Sequence, residues 1–201
     1  MKINKVISAK LFLLTIFFTI KTSSSFSQGV VKEFPYDCDF NDYTTEWVNV
    51  DGKDDIDWLY AFSKDDHSFG TGSQDKESGY LYIDSSYPNN DEKQAWLELV
   101  VDLTHLNAPE ILFDYQMYAS HKKGEGPGAL QLDIHDGNTW VYDLWHNHNS
   151  NKKWKSKRID LSKYSGKVVI LSFTGLTTGW QSDICLDNIV IRDRKNLSSN
   201  N

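Results

Sequence analysis

Apolar and polar residues alternate along much of the chain with the two-residue period of a half-buried strand. Leu130-Gln131-Leu132-Asp133-Ile134 is the cleanest case, and its alternation places one face on a core and the other in water. Alternating or β-rich runs recur at Trp47–Val50, Trp58–Phe62, Gly79–Ile83, Ala95–Val101 and Glu110–Tyr118. They continue at Ala129–Ile134, Thr139–Trp145, Trp154–Leu161, Val168–Thr174 and Ile184–Arg192. Turn-forming residues separate them, among them Pro88-Asn89-Asn90-Asp91, Gly124-Glu125-Gly126-Pro127-Gly128, Asp136-Gly137-Asn138 and Gly179. Asp136-Gly137 between two alternating runs is a hairpin signal. No window sustains a helical apolar period, and no internal repeat points to a propeller. About ten short strands without helices predict an all-β sandwich or barrel.

The N-terminus follows a different pattern. Lys2, Lys5 and Lys10 lead into the apolar run Leu11–Ile20, and Ser25-Phe26-Ser27 offers small residues at −3 and −1. This predicts a secretory signal peptide over 1–27, cleaved before Gln28. The apolar run falls short of the roughly 20 residues a spanning helix needs; the alternative is an uncleaved anchor. Residues 28–193 then form a single domain, and 194–201, rich in Asn and Ser, a disordered tail. A secreted or cell-surface protein without a transmembrane segment in the mature chain is expected.

The 201-residue length suits one domain. With 21 Lys+Arg against 28 Asp+Glu the formal charge is −7, so the acidic surface argues against a nucleic-acid partner. Cys38 and Cys185 lie near the two ends of the exported chain, which favours one disulfide joining the terminal strands. The alternative is two buried thiols that never meet.

Five stretches occur together in a recognisable order. Cys38-Asp39-Phe40-Asn41 is followed by Trp47 and Asp54-Asp55-Ile56-Asp57-Trp58. Asp66-His67-Ser68 leads through Gly70-Thr71-Gly72-Ser73 to Gly79-Tyr80-Leu81-Tyr82-Ile83-Asp84-Ser85. Tyr115-Gln116-Met117-Tyr118 comes next, and Asp183-Ile184-Cys185-Leu186-Asp187-Asn188-Ile189 closes the series. From about Phe34 to Asp193 the chain resembles the MAM domain, an extracellular module of meprins, neuropilins and receptor-type tyrosine phosphatases. The resemblance implies a jelly-roll-like sandwich of two antiparallel sheets and a role in adhesion or protein interaction, with another protein or with a second copy of itself, and no catalysis of its own. The family usually carries four cysteines in two bridges; here Thr45 and Glu110 stand near two of those positions, so a single Cys38–Cys185 bridge is the expected replacement.

The resemblance also implies a structural calcium ion where the last strand meets the first. Asp39, Asn41 and Asp42, with Asp66 from the following loop and Asp187 from the last strand, would supply its oxygens. The alternative for Asp187 is a carboxylate accepting backbone N–H bonds at a turn. Asp51–Asp57 lacks the glycine and closing glutamate of an EF-hand and reads as a solvated acidic turn. His146-Asn147-His148 falls short of a zinc pattern. The basic stretch Lys152–Arg158 suits an edge strand blunted by lysines, or a patch for an anionic glycan or acidic partner. Trp140, Trp145 and Trp180, with Tyr142, suit a sugar-stacking platform; the alternative is core packing. No nucleophile–base order or carboxylate dyad stands out. Two functions follow: a non-catalytic module binding an extracellular or cell-surface protein, or a carbohydrate-binding sandwich.

Overall fold

The computed structural model describes residues 29–42, 45–62, 78–89, 92–119, 126–180 and 182–194. The signal-peptide segment, Asp66 and residues 195–201 lie outside them. Two six-stranded sheets pack face to face. The first contains β1 (Val30–Val31), β3 (Val48–Asn49), β6 (Gln94–Asp102), β8 (Ala129–His135), β9 (Trp140–Asn147) and β11 (Val168–Leu176). Its order is β1-β6-β11-β8-β9, with β3 also paired to β6. The second contains β2 (Tyr36–Cys38), β4 (Leu59–Ala61), β5 (Tyr80–Ile83), β7 (Pro109–Met117), β10 (Asn151–Asp160) and β12 (Ile184–Asp193). Its order is β10-β7-β12-β5-β4, with β2 also paired to β12. All pairings are antiparallel except β1 on β6. A 3-10 turn at Ser162–Tyr164 is the one helical element among the described residues.

Alternation builds the core directly. Leu97, Leu99 and Val101 of β6, Val169, Leu171 and Phe173 of β11, and Leu130, Leu132 and Ile134 of β8 are buried on one side. Ile111, Phe113 and Met117 of β7 and Ile184, Leu186, Ile189 and Ile191 of β12 are buried on the other. Phe113 and Phe173 meet across the sandwich edge to face, centroids 4.9 Å apart. Gly175 marks a close approach of the sheets: a Cβ there would lie 2.1 Å from Ile83 Cδ1.

One extra residue in β12 decides much of the outer surface. Asp187 opposes Asp114 and Val190 opposes Leu112, so β12 carries a bulge at Asn188, whose φ is 48°. The bulge shifts the alternation. Leu186 points inward before it and Ile189 after it, leaving Cys185 and Asp187 on the outer side of the sheet.

This geometry corrects the expected disulfide. Cys38 opposes Ile189 and belongs to the core, whereas Cys185 packs with Ala61 and Tyr80 on the opposite face of the sheet. Four strand residues also separate their levels, roughly 13 Å against the roughly 7 Å limit for a bridge. Both cysteines are free and buried. Past β12, Arg194 stays in contact with the fold, its N–H on Ala108 O at 2.9 Å and its guanidinium on Asp160 at 3.0 Å.

Candidate functional site

The hairpin β8–β9 forms one edge of the first sheet and turns at Asp136–Thr139. Asp136 Oδ1 accepts the N–H groups of Asn138 and Thr139, both at 3.1 Å, and Oδ2 accepts Lys167 Nζ at 2.8 Å. The lysine and the two N–H groups hold the Asp136 carboxyl far below the usual carboxylate range. On the solvent side, His135 of β8 stands opposite Trp140 of β9, and Gln131 opposite His146. Between these pairs β9 carries extra residues, and Asp143 takes a positive φ of 61°.

Buried Asp133 organises this bulge. Its Oδ1 accepts the Asp143 N–H at 2.7 Å and Gln131 Nε2 at 2.6 Å. Asp143 Oδ1 in turn meets His146 Nδ1, and the His146 and His148 rings lie 4.9 Å apart. Trp140 and Tyr142 are nearly parallel, 20° between planes and 6.1 Å between centroids, and Trp140 also meets His135 edge to face. Tyr142 is 67% exposed. The surface therefore presents two aromatic rings beside a positioned Asp–His pair, fixed from below by a buried carboxylate. Glu98 of β6 lies on the same outer face two strands away, where burial pushes its carboxyl up against the pull of Lys53 and His135.

The proposed trio of tryptophans divides. Trp140 lies on the outer face. Trp145 turns inward, packing on Phe113 at 5.1 Å and Tyr115 at 5.0 Å with Lys157 Nζ 6.0 Å above its ring. Trp180 sits half exposed in the loop before β12, without ring contact to Trp140 among the described residues. A three-tryptophan platform is thus corrected to Trp140 with Tyr142, because Trp140 and Trp145 project to opposite faces of β9. The Asp133–Asp143–His146 chain was not read from the sequence. Alternation did place Gln131 and Asp133 on the water side, but the bulge that brings Asp143 to them leaves no sequence pattern.

The calcium ligands expected from the first strand do not converge with Asp187. Asp39 and Asp42 line an acidic groove of about 410 Å³ with Asp37 and Glu46, and Asp187 is not part of it. Asn41 spends its amide on Asp39 Oδ2 at 2.6 Å and its carbonyl on the Gly79 N–H at 2.9 Å. Asp187 is fully buried and accepts the Asn188 N–H at 2.6 Å, the bond expected of a carboxylate at a turn. No three His, Cys, Asp or Glu side chains among the described residues come together as a metal site. The basic stretch Lys152–Arg158 falls on β10, which among the described residues pairs only with β7 and stands at the edge of its sheet.

Known structures of similar shape include two domains of Lys-gingipain from Porphyromonas gingivalis. The K1 cleaved adhesin domain superposes with a TM-score of 0.59 at 13% identity, covering 81% of this chain and 99% of that one. The K3 cleaved adhesin domain gives 0.55 at 14% identity, covering 78% and 96%. At such identity the likeness is one of fold. Among the described residues no helix is long and apolar enough to cross a membrane. The family described as "MAM domain, meprin/A5/mu" matches residues 38–195, which takes in every strand from β3 to β12, and the chain belongs to the MAM domain family.

Proposed function

We propose that the chain is a secreted or cell-surface module that holds an extracellular protein through the outer face of the β8–β9 hairpin and performs no chemistry on it. The observation that carries this reading is the Trp140–Tyr142 pair, a half-buried ring beside an exposed one on an edge strand of a MAM domain. Tyrosine and tryptophan bury large rigid surfaces at little entropic cost and dominate interface hot spots. The edge strand adds backbone donors and acceptors that a partner can pair with. His146 meets a carboxylate, and no hydroxyl or thiol joins the pair among the described residues, so the arrangement orients a ring without activating a nucleophile.

A second reading, glycan binding, draws on the near-parallel Trp140 and Tyr142 rings, which offer adjacent faces to a sugar. Two assays separate the readings. Capture from the native extracellular fraction should retain a discrete protein with wild type and lose it with Trp140→Ala/Tyr142→Ala at an unchanged melting midpoint. A glycan array should stay silent. Saturable sugar binding lost in the same variant would favour the second reading, and turnover in a glycosidase, protease and esterase screen would overturn both.

A further inference from the structure

A second concavity lies on the outer face of the other sheet, away from the β8–β9 hairpin. Its floor follows from register: Arg158, Leu112, Val190 and Asp37 form one row across β10, β7, β12 and β2, and Asp160, Glu110 and Arg192 form the next. Phe34, Pro35 and Leu106 wall a groove of about 790 Å³ over these rows. That size falls within the range of ligand pockets, roughly 300–1,000 Å³.

Glu110 organises the floor. Its side chain is 2% exposed, yet it carries a carboxylate, a costly burial without counter-charge. Two arginines supply that charge. Arg192 Nε donates to Oε1 at 2.9 Å, and Arg158 Nε stands 3.6 Å from Oε2. Each arginine meets Glu110 through its Nε, and the terminal nitrogens of both guanidinium groups make no hydrogen bond among the described residues. Their side chains are 60% and 48% exposed. Two guanidinium groups thus share one buried carboxylate, and each keeps the planar fork of its terminal nitrogens for a further partner.

We infer that the Arg158–Glu110–Arg192 cluster is a recognition site for a single carboxylate on an acidic segment of the partner protein, which rests on the reading of this chain as a protein-interaction module. A guanidinium fork matches a carboxylate in geometry, through two parallel N–H···O bonds. The apolar wall of Phe34 and Leu106 suits the aliphatic residue beside that acid. A polyanion fits poorly, because Asp37 and Asp193 line the same groove and the whole chain carries −7. Arg194 is already engaged, since Asp160 pairs with it at 3.0 Å.

The test is a side-chain NMR titration of the intact mature protein, following the arginine Nε–H signals. The probe is acetyl-Leu-Glu-Leu-amide, with acetyl-Leu-Gln-Leu-amide and tri-galacturonate as comparison arms. The glutamate peptide should shift the Arg158 and Arg192 signals saturably in the millimolar range, and the glutamine peptide should not. Arg158→Lys keeps the charge but loses the fork, and should weaken binding about tenfold at an unchanged melting midpoint. Arg192→Lys serves the same purpose if the first variant misfolds. Absence of any shift, or equal shifts with the glutamine peptide, would overturn the proposal. Tighter binding of tri-galacturonate would overturn the assignment to a protein carboxylate. Partner capture that depends on Trp140 and Tyr142 while the arginine signals stay still would remove this site and leave the proposed function standing.

Discussion

Gly175→Ala should destabilise the protein through a single collision between the two sheets. The new Cβ would sit 2.1 Å from Ile83 Cδ1, 3.3 Å from Ile184 Cδ1 and 3.4 Å from Trp58 Cζ2. Ile83 and Ile184 are fully buried, so neither side chain can swing into solvent to relieve the contact. Overpacking of this kind costs about 1–3 kcal/mol. Ile83→Val removes the colliding methyl and by itself costs about 0.5–1.5 kcal/mol for the lost burial. The double variant should therefore be less destabilised than the sum of the singles, because the valine makes room for the alanine. Urea unfolding of all four proteins gives the cycle, with the slope of each transition checking that the denatured state is unchanged. A Gly175→Ala variant within about 0.5 kcal/mol of wild type, or effects that simply add, would refute the close approach of β11 and β5.

Denatured protein purified without reductant should titrate two thiols, and native protein should react slowly, since both cysteines are buried and burial pushes the Cys38 thiol up. Asp187→Asn weakens the charge-assisted bond from the Asn188 N–H and should destabilise by about 1.5–3 kcal/mol, read by melts with chelator and with millimolar calcium; a calcium-dependent rise in wild type that the variant lacks would reassign Asp187 as a metal ligand. Asp160 is held at about 2, chiefly by the Ser162 hydroxyl and N–H with Arg194 assisting. Its folded value lies below the unfolded one, so its contribution is present above the ordinary carboxylate range and is lost as pH falls from about 4 toward 2. Asp160→Asn should flatten that part of the stability profile, and an unchanged profile would contradict the assignment.

Long strands were legible because their core faces alternate: Leu97, Leu99 and Val101 in β6, and Leu130, Leu132 and Ile134 in β8, need no tertiary information to read. β1 and β2 escaped because two or three residues cannot display a period; pairing with β6 and β12 makes them strands. The bulges were invisible for a related reason. Asn188 shifts the alternation of β12 by one residue, which separates Cys185 from the face of Cys38 and carries Asp187 outward. One missed signal was present in the sequence: Trp140 and Trp145 are an odd number of positions apart, and a strand sends such residues to opposite faces. The Glu110 cluster was out of reach, since Arg158, Glu110 and Arg192 meet only through the pairing of three strands distant in sequence.

Site-specific photo-crosslinking tests the central claim most directly. Placing p-benzoylphenylalanine at position 142, and at the 88% exposed Tyr87 as the comparison site, reads which surface a partner touches. The account predicts a discrete crosslinked extracellular protein from position 142 and none from position 87. The same products from both positions, or no protein adduct from position 142 while a partner is captured, would contradict it.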